Sequence, residues 1–376
     1  MAGLKMLGHA LVTVALALVS SVAMAHKASD SFLYLDNGPT ELRLDVALRD
    51  LALLVPLDRN EDRKVSGHEL RQARPAITRV VESALVLANT SGHCTLTGER
   101  WGISSHSDGT YAAARYRIEC ADGKPPATLE YTLLFDRDAL HRGLVRIGTG
   151  EQARLAVLGP DSRRLDLSLA DGPGSFSVFM DFIQEGIAHL LMGLDHLLFL
   201  LVLVIPATLP ARVGQAGGQT DQPFRARLLE LAGIVTAFTL AHSITLALAA
   251  LEMISLPIAW VETAIALSVA VAAVNVVWPV LGRKTWKLAF GFGLVHGVGF
   301  ASVLGDLTGG VSGLAVALAG FNIGVELGQL GLLVLGFPVL YLLGQYPLYQ
   351  RGLVPLALVV VAAVSLYWVI QRAPVL

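Results

Sequence analysis

An α-helical membrane bundle of about six transmembrane helices, preceded by a small β-rich periplasmic domain with an EF-hand-like helical insertion, is the fold class that the sequence predicts. Three observations predict it. The 376-residue chain is 54% hydrophobic and only 15% charged, with a mean hydropathy of +0.60, whereas soluble domains carry about 25% charged residues. Most charged residues fall before residue 175, and the rest of the chain is a series of Leu, Val, Ala and Gly runs. Ahead of that boundary, short segments alternate with the period of two that marks half-buried strands. A net charge of −2 offers no basic surface for a phosphate backbone, so no nucleic-acid partner is expected.

Residues 1–25 carry a lone Lys5, an apolar run from Leu11 to Val22 and then Ala23-Met24-Ala25. This is the layout of a signal peptide cut after a small-x-small site, and cleavage is predicted before His26. The apolar core of about 12 residues is short for a membrane span. Residues 26–172 then form the periplasmic domain, where the chain's two cysteines, Cys94 and Cys120, are expected to form a disulfide. Strand alternation is clearest in Phe32–Leu35, Leu42–Ala47, Tyr116–Glu119 and Leu129–Leu133, with turn residues between them.

A helical insertion interrupts this pattern at residues 58–69, which resemble a twelve-residue EF-hand calcium loop. Asp58, Asn60, Asp62 and Ser66 supply oxygens at positions one, three, five and nine, Lys64 stands at the backbone-carbonyl position, Val65 is apolar at position eight, and Glu69 closes the loop. Arg63 stands where that loop needs glycine for its sharp turn. Calcium binding and a degenerate, structurally retained loop both fit. Flanking helices are expected over 47–55 and 68–88, the second broken at Pro75. His26, once exposed by cleavage, would offer an amine and an imidazole suited to copper(II) or nickel(II), with His68, His93, His106 or His141 as a second ligand; it is equally read as the residue that processing leaves.

Residues 173–376 form the membrane domain. Segments of about 20 residues, enough to span a bilayer, occur at 177–206, 228–252, 257–281, 286–305, 309–343 and 351–370. The fifth is long and is expected to tilt or to break near Gly320 or Gly336-Phe337-Pro338. Arg212, Arg225 and Arg227 follow the first span, Arg283, Lys284 and Lys287 the third, and Arg351 the fifth, while the other connections carry no positive charge. Positive charge collects on the cytoplasmic side, which predicts a multi-pass bacterial inner-membrane protein with its N-terminal domain and C-terminus in the periplasm.

The spans hold His189, His196, His242 and His296 together with Glu185, Asp195, Glu262 and Glu326. Each such group costs about 2.5–3.5 kcal/mol or more at a helix centre, so they are expected to face one another or a watery path. At about 3.6 residues per turn, Glu185, His189, Met192 and His196 form one stripe of the first span, with Asp195 beside it as a ligand or as an orienting partner for a histidine. Ser243 and Thr245 flank His242, and Asn322, Glu326 and Gln329 form a polar stripe on the fifth span, expected to face the first. Interhelical hydrogen bonding is the alternative role for each polar residue taken singly. Imidazole with carboxylate suits nickel, cobalt, copper, zinc or iron.

These residues resemble the HupE/UreJ family, hydrogenase and urease accessory proteins regarded as metal permeases chiefly for nickel. The resemblance runs through Ala25–Ser31, Ala47–Leu51, His189–Phe199, Phe238–Thr245, Val261–Ser268, Phe290–Ala301 and Phe321–Leu330, and points to the larger branch with an exported domain. Gly193-Leu194-Asp195-His196 is also similar to the histidine-aspartate signature of nickel/cobalt permeases, although His189 lies seven residues before His196 rather than at that motif's spacing. The expected function is a transition-metal permease with His189, Asp195, His196, His242, Glu262, His296 and Glu326 as ligands. A periplasmic metal carrier or metalloenzyme maturation proteins are its expected partners besides the lipid bilayer. The alternatives are an intramembrane metal-dependent enzyme and a metal-sensing or assembly protein, with copper left open by Met192 and His26. No phosphate-binding G-x-x-x-x-G-K-[ST] loop occurs, so transport would draw on a membrane potential, a proton gradient or mass action.

Overall fold

The computed structural model describes residues 30–373 except 37–39, 63, 107–108, 139–140, 150–152, 169–174, 210–222, 252, 255, 280, 282–284 and 306–310. The predicted signal peptide, His26 and Arg63 lie outside the described residues, as do Arg212, Arg283 and Lys284 of the charge argument. The described chain forms two compact units, one mostly of strands within Lys27–Phe182, with Ser302–Gly320, and one of helices within Ile183–Ala301 and Phe321–Leu376.

The first unit holds two sheets. Strands β1 (Asp30–Leu35), β2 (Glu41–Ala47), β5 (Thr95–His106), β6 (Gly109–Glu119), β8 (Arg142–Ile147) and β9 (Arg154–Leu158) form one, in the order β5-β6-β2-β1-β8-β9. All its neighbours pair antiparallel except β1 with β8. Strands β3 (Leu85–Asn89), β4 (Gly92–His93), β7 (Thr128–Tyr131) and β10 (Arg164–Asp166) form the other, in the order β10-β7-β3-β4. Alternation produces the core: Leu33, Leu35, Leu42, Leu44 and Val46 of the first sheet are buried with Leu85, Leu87, Leu129 and Tyr131 of the second. Cys94 and Cys120 form the expected disulfide, just outside the Thr95–Glu119 pair that ends the β5–β6 ladder.

Helix α1 is a single turn, Leu48–Leu51, and α2 runs over Gly67–Ser83. Leu70, Ala73, Ile77 and Val81 of α2 are buried in the same core, at the spacing of one helical face. Two expectations are corrected here. Pro75 does not break α2, because Pro75 and Arg71, whose carbonyl loses its usual donor, both face solvent. Nor does the helix reach 88: it stops at Ser83 and the chain turns into β3, where Leu85 and Leu87 alternate into the core.

Within 58–69, Glu69 closes the loop onto the chain itself. Its carboxylate accepts from the Arg59 N–H (3.0 Å), the Ser66 N–H (2.9 Å) and the Ser66 hydroxyl (2.7 Å), so Ser66 and Glu69 make a capping box at the start of α2. These bonds, that from the Ser66 backbone first, hold the Glu69 carboxyl down to about 2. Asp62 accepts from the Lys64 N–H (2.8 Å) and Asn60 from the Asp62 N–H (3.1 Å).

Three of the four histidines proposed as partners for His26 are engaged elsewhere, and His93 is exposed on β4. His106 Nε2 lies 2.8 Å from Asp45 and its ring stacks 4.4 Å from Phe32; His68 meets Gln72 at 2.9 Å. His141 is 0% exposed, with Nε2 at 2.8 Å from the Tyr131 hydroxyl and 3.2 Å from Ser31 Oγ, and burial pushes its pKa down to about 3. The unfolded chain takes up this proton near pH 6.5 and the folded protein only near 3. His141 therefore costs stability as pH falls through that window, by up to about 1.4 kcal/mol per pH unit. Denaturant melts of the full chain should show a shallower decline between pH 6 and 4, by about that slope, in His141→Gln than in the wild type.

Helices α5 (Phe224–Ala250), α6 (Ile258–Val277), α8 (Val311–Leu343) and α9 (Val354–Arg372, after a π-helical turn at Tyr349–Leu353) are long and apolar enough to cross a membrane. Helices α3 (Ser175–Met192) and α4 (Leu194–Thr208) make a fifth candidate only if taken together, because they are bent by 71° at the break between them. This corrects the continuous first span. The predicted segment 286–305 forms α7, Thr285–Gly305, a helix of 21 residues. Helix α8 runs unbroken past Gly320 and through Pro338. Arg227, counted above as a loop charge, is buried and donates to the Ala207 carbonyl at 2.9 Å, satisfying the end of α4.

Candidate metal centre

The bend at Gly193 builds the site. Its N–H donates to the His189 carbonyl (2.8 Å), while its own carbonyl accepts from Leu197 (3.0 Å), so one helix ends and the next begins without a lost residue. A Cβ on Gly193 would stand 2.9 Å from the His189 carbonyl oxygen and 2.9 Å from His196 Nδ1, which reserves the position for glycine. Asp195 lies in the first turn of α4, where a carboxylate is favoured. Its Oδ1 accepts from the His196 N–H at 2.9 Å and meets His196 Nδ1 at 3.1 Å. Asp195 thus orients the histidine beside it in sequence, rather than one on a neighbouring span.

His196 is the hub. Its ring centroid lies 5.1 Å from that of His189, 5.2 Å from His296 on α7 and 6.2 Å from His242 on α5. His196, His242 and His296 are 6%, 0% and 2% exposed. Nε2 of His196, both ring nitrogens of His242 and Nδ1 of His296 are buried with no hydrogen-bond partner among the described residues. Buried polar atoms are rarely left so, and a lone-pair nitrogen in that condition is chemically ready for a cation. Among the described residues no three His, Cys, Asp or Glu side chains converge on one point as a closed metal shell; the imidazoles meet as pairs around His196.

Close helix crossings set these distances. On α7, a Cβ on Gly293 would overlap the Phe238 carbonyl of α5, and one on Gly297 would overlap the His242 carbonyl and the Thr245 hydroxyl. On α3 and α8, Gly186 lies against the Phe321 carbonyl and Gly324 against that of Ile183. Such glycines let backbones touch where apolar solvent gives no other drive to associate.

The other expected residues divide. Glu326 Oε1 accepts from the Thr236 hydroxyl of α5 (2.6 Å) and Gln329 Oε1 from that of Thr239 (2.9 Å), so this part of the α8 stripe pairs with α5. From α8 it is Phe321 that reaches His189, at 5.2 Å between rings. Ser243 donates to the Thr239 carbonyl (2.7 Å), and the single hydroxyl hydrogen of Thr245 is shared between the carbonyls of Ala241 (3.2 Å) and His242 (3.3 Å), so both serve their own helix. Glu185, Glu262 and Asn322 are half-buried, and Met192 is 37% exposed.

Three residues without an assigned role in the sequence belong to the cluster. Phe199 lies 5.7 Å and Phe238 5.3 Å from the His296 ring, and Ser268 Oγ lies 3.2 Å from His296 Nε2. Phe199 stands three residues after His196 and Phe238 four before His242, the intervals that place a side chain on the same helical face; that spacing was the available signal.

A family model described as HupE / UreJ protein matches residues 168–372 of the chain, which take in every helix just described except α1 and α2. No curated protein matches the chain.

Proposed function

Because the chain belongs to the HupE/UreJ family, we propose that it is an inner-membrane permease for a transition-metal ion, nickel or a similar divalent ion, and that the imidazoles gathered at His196 carry the ion. The observation that carries this reading is the set of buried ring nitrogens around His196. A divalent ion stripped of water in an apolar bundle needs replacement donors, since uncompensated burial of charge costs many kcal/mol. Neutral imidazoles supply them without adding charge, and a borderline metal prefers them. Pairwise spacing about one hub lets an ion pass from His189 and His196 to His196 and His296 or His242, exchanging one ligand at a time. Asp195 is the orienting carboxylate of the hub, and Glu326 lies further along the α5–α8 contact.

In this reading the chain has six spans, with α7 among them and α3–α4 as one broken span, and residues 26–172 stand in the periplasm, where they receive the metal from a carrier or pass it toward metalloenzyme maturation. A calcium ion at Asp58–Glu69 would have to draw the Glu69 carboxylate away from Arg59 and Ser66. Purified protein in liposomes should take up nickel saturably, measured with and without an imposed pH gradient. Absence of uptake for nickel, cobalt, copper, zinc and iron alike would overturn the permease reading.

A further inference from the structure

His196 and His296 are bonded through opposite nitrogens, and hydrogen counting decides which nitrogen each offers. An ionised carboxylate only accepts, so the 3.1 Å contact of Asp195 with His196 Nδ1 places the ring hydrogen there and leaves the lone pair on Nε2, which is buried and unbonded. At His296 the bonded atom is Nε2, 3.2 Å from Ser268 Oγ. A serine hydroxyl has one hydrogen, and that of Ser268 goes to the Ile265 carbonyl at 2.7 Å. Toward His296, Ser268 can therefore only accept. His296 carries its hydrogen on Nε2, and its lone pair lies on Nδ1, again buried and unbonded.

We propose that Ser268, on α6, is a positioning residue of the metal path: it locks His296 in the Nε2–H tautomer and so makes Nδ1 the atom offered to a divalent transition-metal ion, in the opposite sense to His196. The inference rests on the reading of the histidine cluster as a metal path. Outer partners of this kind fix tautomer and ring orientation at metal-binding histidines generally. An ion on Nδ1 sits nearer the α7 backbone than one on Nε2 would. Ser268 is 6% exposed, and its hydroxyl makes these two bonds among the described residues.

Nitrogen-detected NMR on the full chain in liposomes, metal-free and labelled with ¹⁵N in the histidine rings, tests it, with His296 assigned by the signals lost in His296→Gln. The wild type should show protonated Nε2 and bare Nδ1 at His296. Ser268→Ala should release a mixture of both tautomers and weaken nickel binding, read by equilibrium dialysis with nickel alone, roughly tenfold; Ser268→Thr should restore both. A wild-type His296 with its hydrogen on Nδ1 overturns the proposal, as does a loss of affinity in Ser268→Ala that Ser268→Thr does not rescue, which would mark simple packing. A wild type that shows the Nε2–H tautomer but binds none of nickel, cobalt, copper, zinc and iron overturns the metal reading itself, and with it the role given to Ser268.

Discussion

His196→Ala should abolish high-affinity metal binding, weakening nickel affinity of the purified protein by at least about 100-fold, while His93→Ala, on an exposed strand of the first unit, leaves it unchanged. His196 is the ring that stands next to all three others, so its loss removes a member of every pair. Removing an outer partner of a metal ligand costs about 10- to 100-fold, and removal of the hub ligand should exceed that range. His242→Ala removes one pair and should cost less, roughly tenfold to 100-fold by the same comparison. Asp195→Asn keeps the side chain's shape but swaps an obligate acceptor for an amide that can also donate, and should fall between the wild type and His196→Ala. Equilibrium dialysis with metal analysis reads all four, and size-exclusion behaviour in detergent reports whether each variant still folds. Unchanged stoichiometry and affinity in both His196→Ala and His242→Ala would remove the site.

The bundle was legible because apolar length is a one-dimensional property. The segment expected at 228–252 is α5, Phe224–Ala250, and that at 351–370 is α9, Val354–Arg372. The alternating segments of the first unit became β1, β2, β6 and β7 for the same reason: period two is visible in a single strand. What escaped depends on contacts between segments. Gly193 reads as an ordinary residue of an apolar run, since glycine is common in membrane helices, and only the approach of the His189 carbonyl and the His196 ring to its missing side chain makes it a bend. The helical stripe drawn through it still brought His189 and His196 together, because the bend swings the second ring back within 5.1 Å of the first. The α8 stripe was seen as polar, but which helix it would face is set by the registers of α3, α5 and α8, and those follow from glycine crossings that no single segment displays. Ser268 was likewise visible as a residue and invisible as a partner, because His296 lies on another helix.

Gly297→Ala should both destabilise the protein and disable the metal site, and Gly291→Ala, six residues earlier on the same helix, should do neither. A Cβ at Gly297 meets the His242 carbonyl and the Thr245 hydroxyl of α5, whereas one at Gly291 meets nothing within 4 Å. Overpacking a filled contact costs about 1–3 kcal/mol, and the upper end applies here because the obstructing oxygen belongs to backbone and cannot rotate away. At the exposed Gly291 alanine should be neutral or favourable by up to about 1 kcal/mol, since glycine is the poorer helix former. The clash can be relieved only by moving α5 and α7 apart. His242 hangs from the displaced carbonyl's own residue and His296 is the residue before Gly297, so the separation opens the His196 pairs on two sides at once. Thermal melting in detergent should therefore show a lowered transition for Gly297→Ala and an unchanged or raised one for Gly291→Ala, with nickel affinity falling more than tenfold only in the first. A Gly297→Ala protein that melts and binds nickel as the wild type does would mean that the α5–α7 crossing does not set the geometry of the cluster.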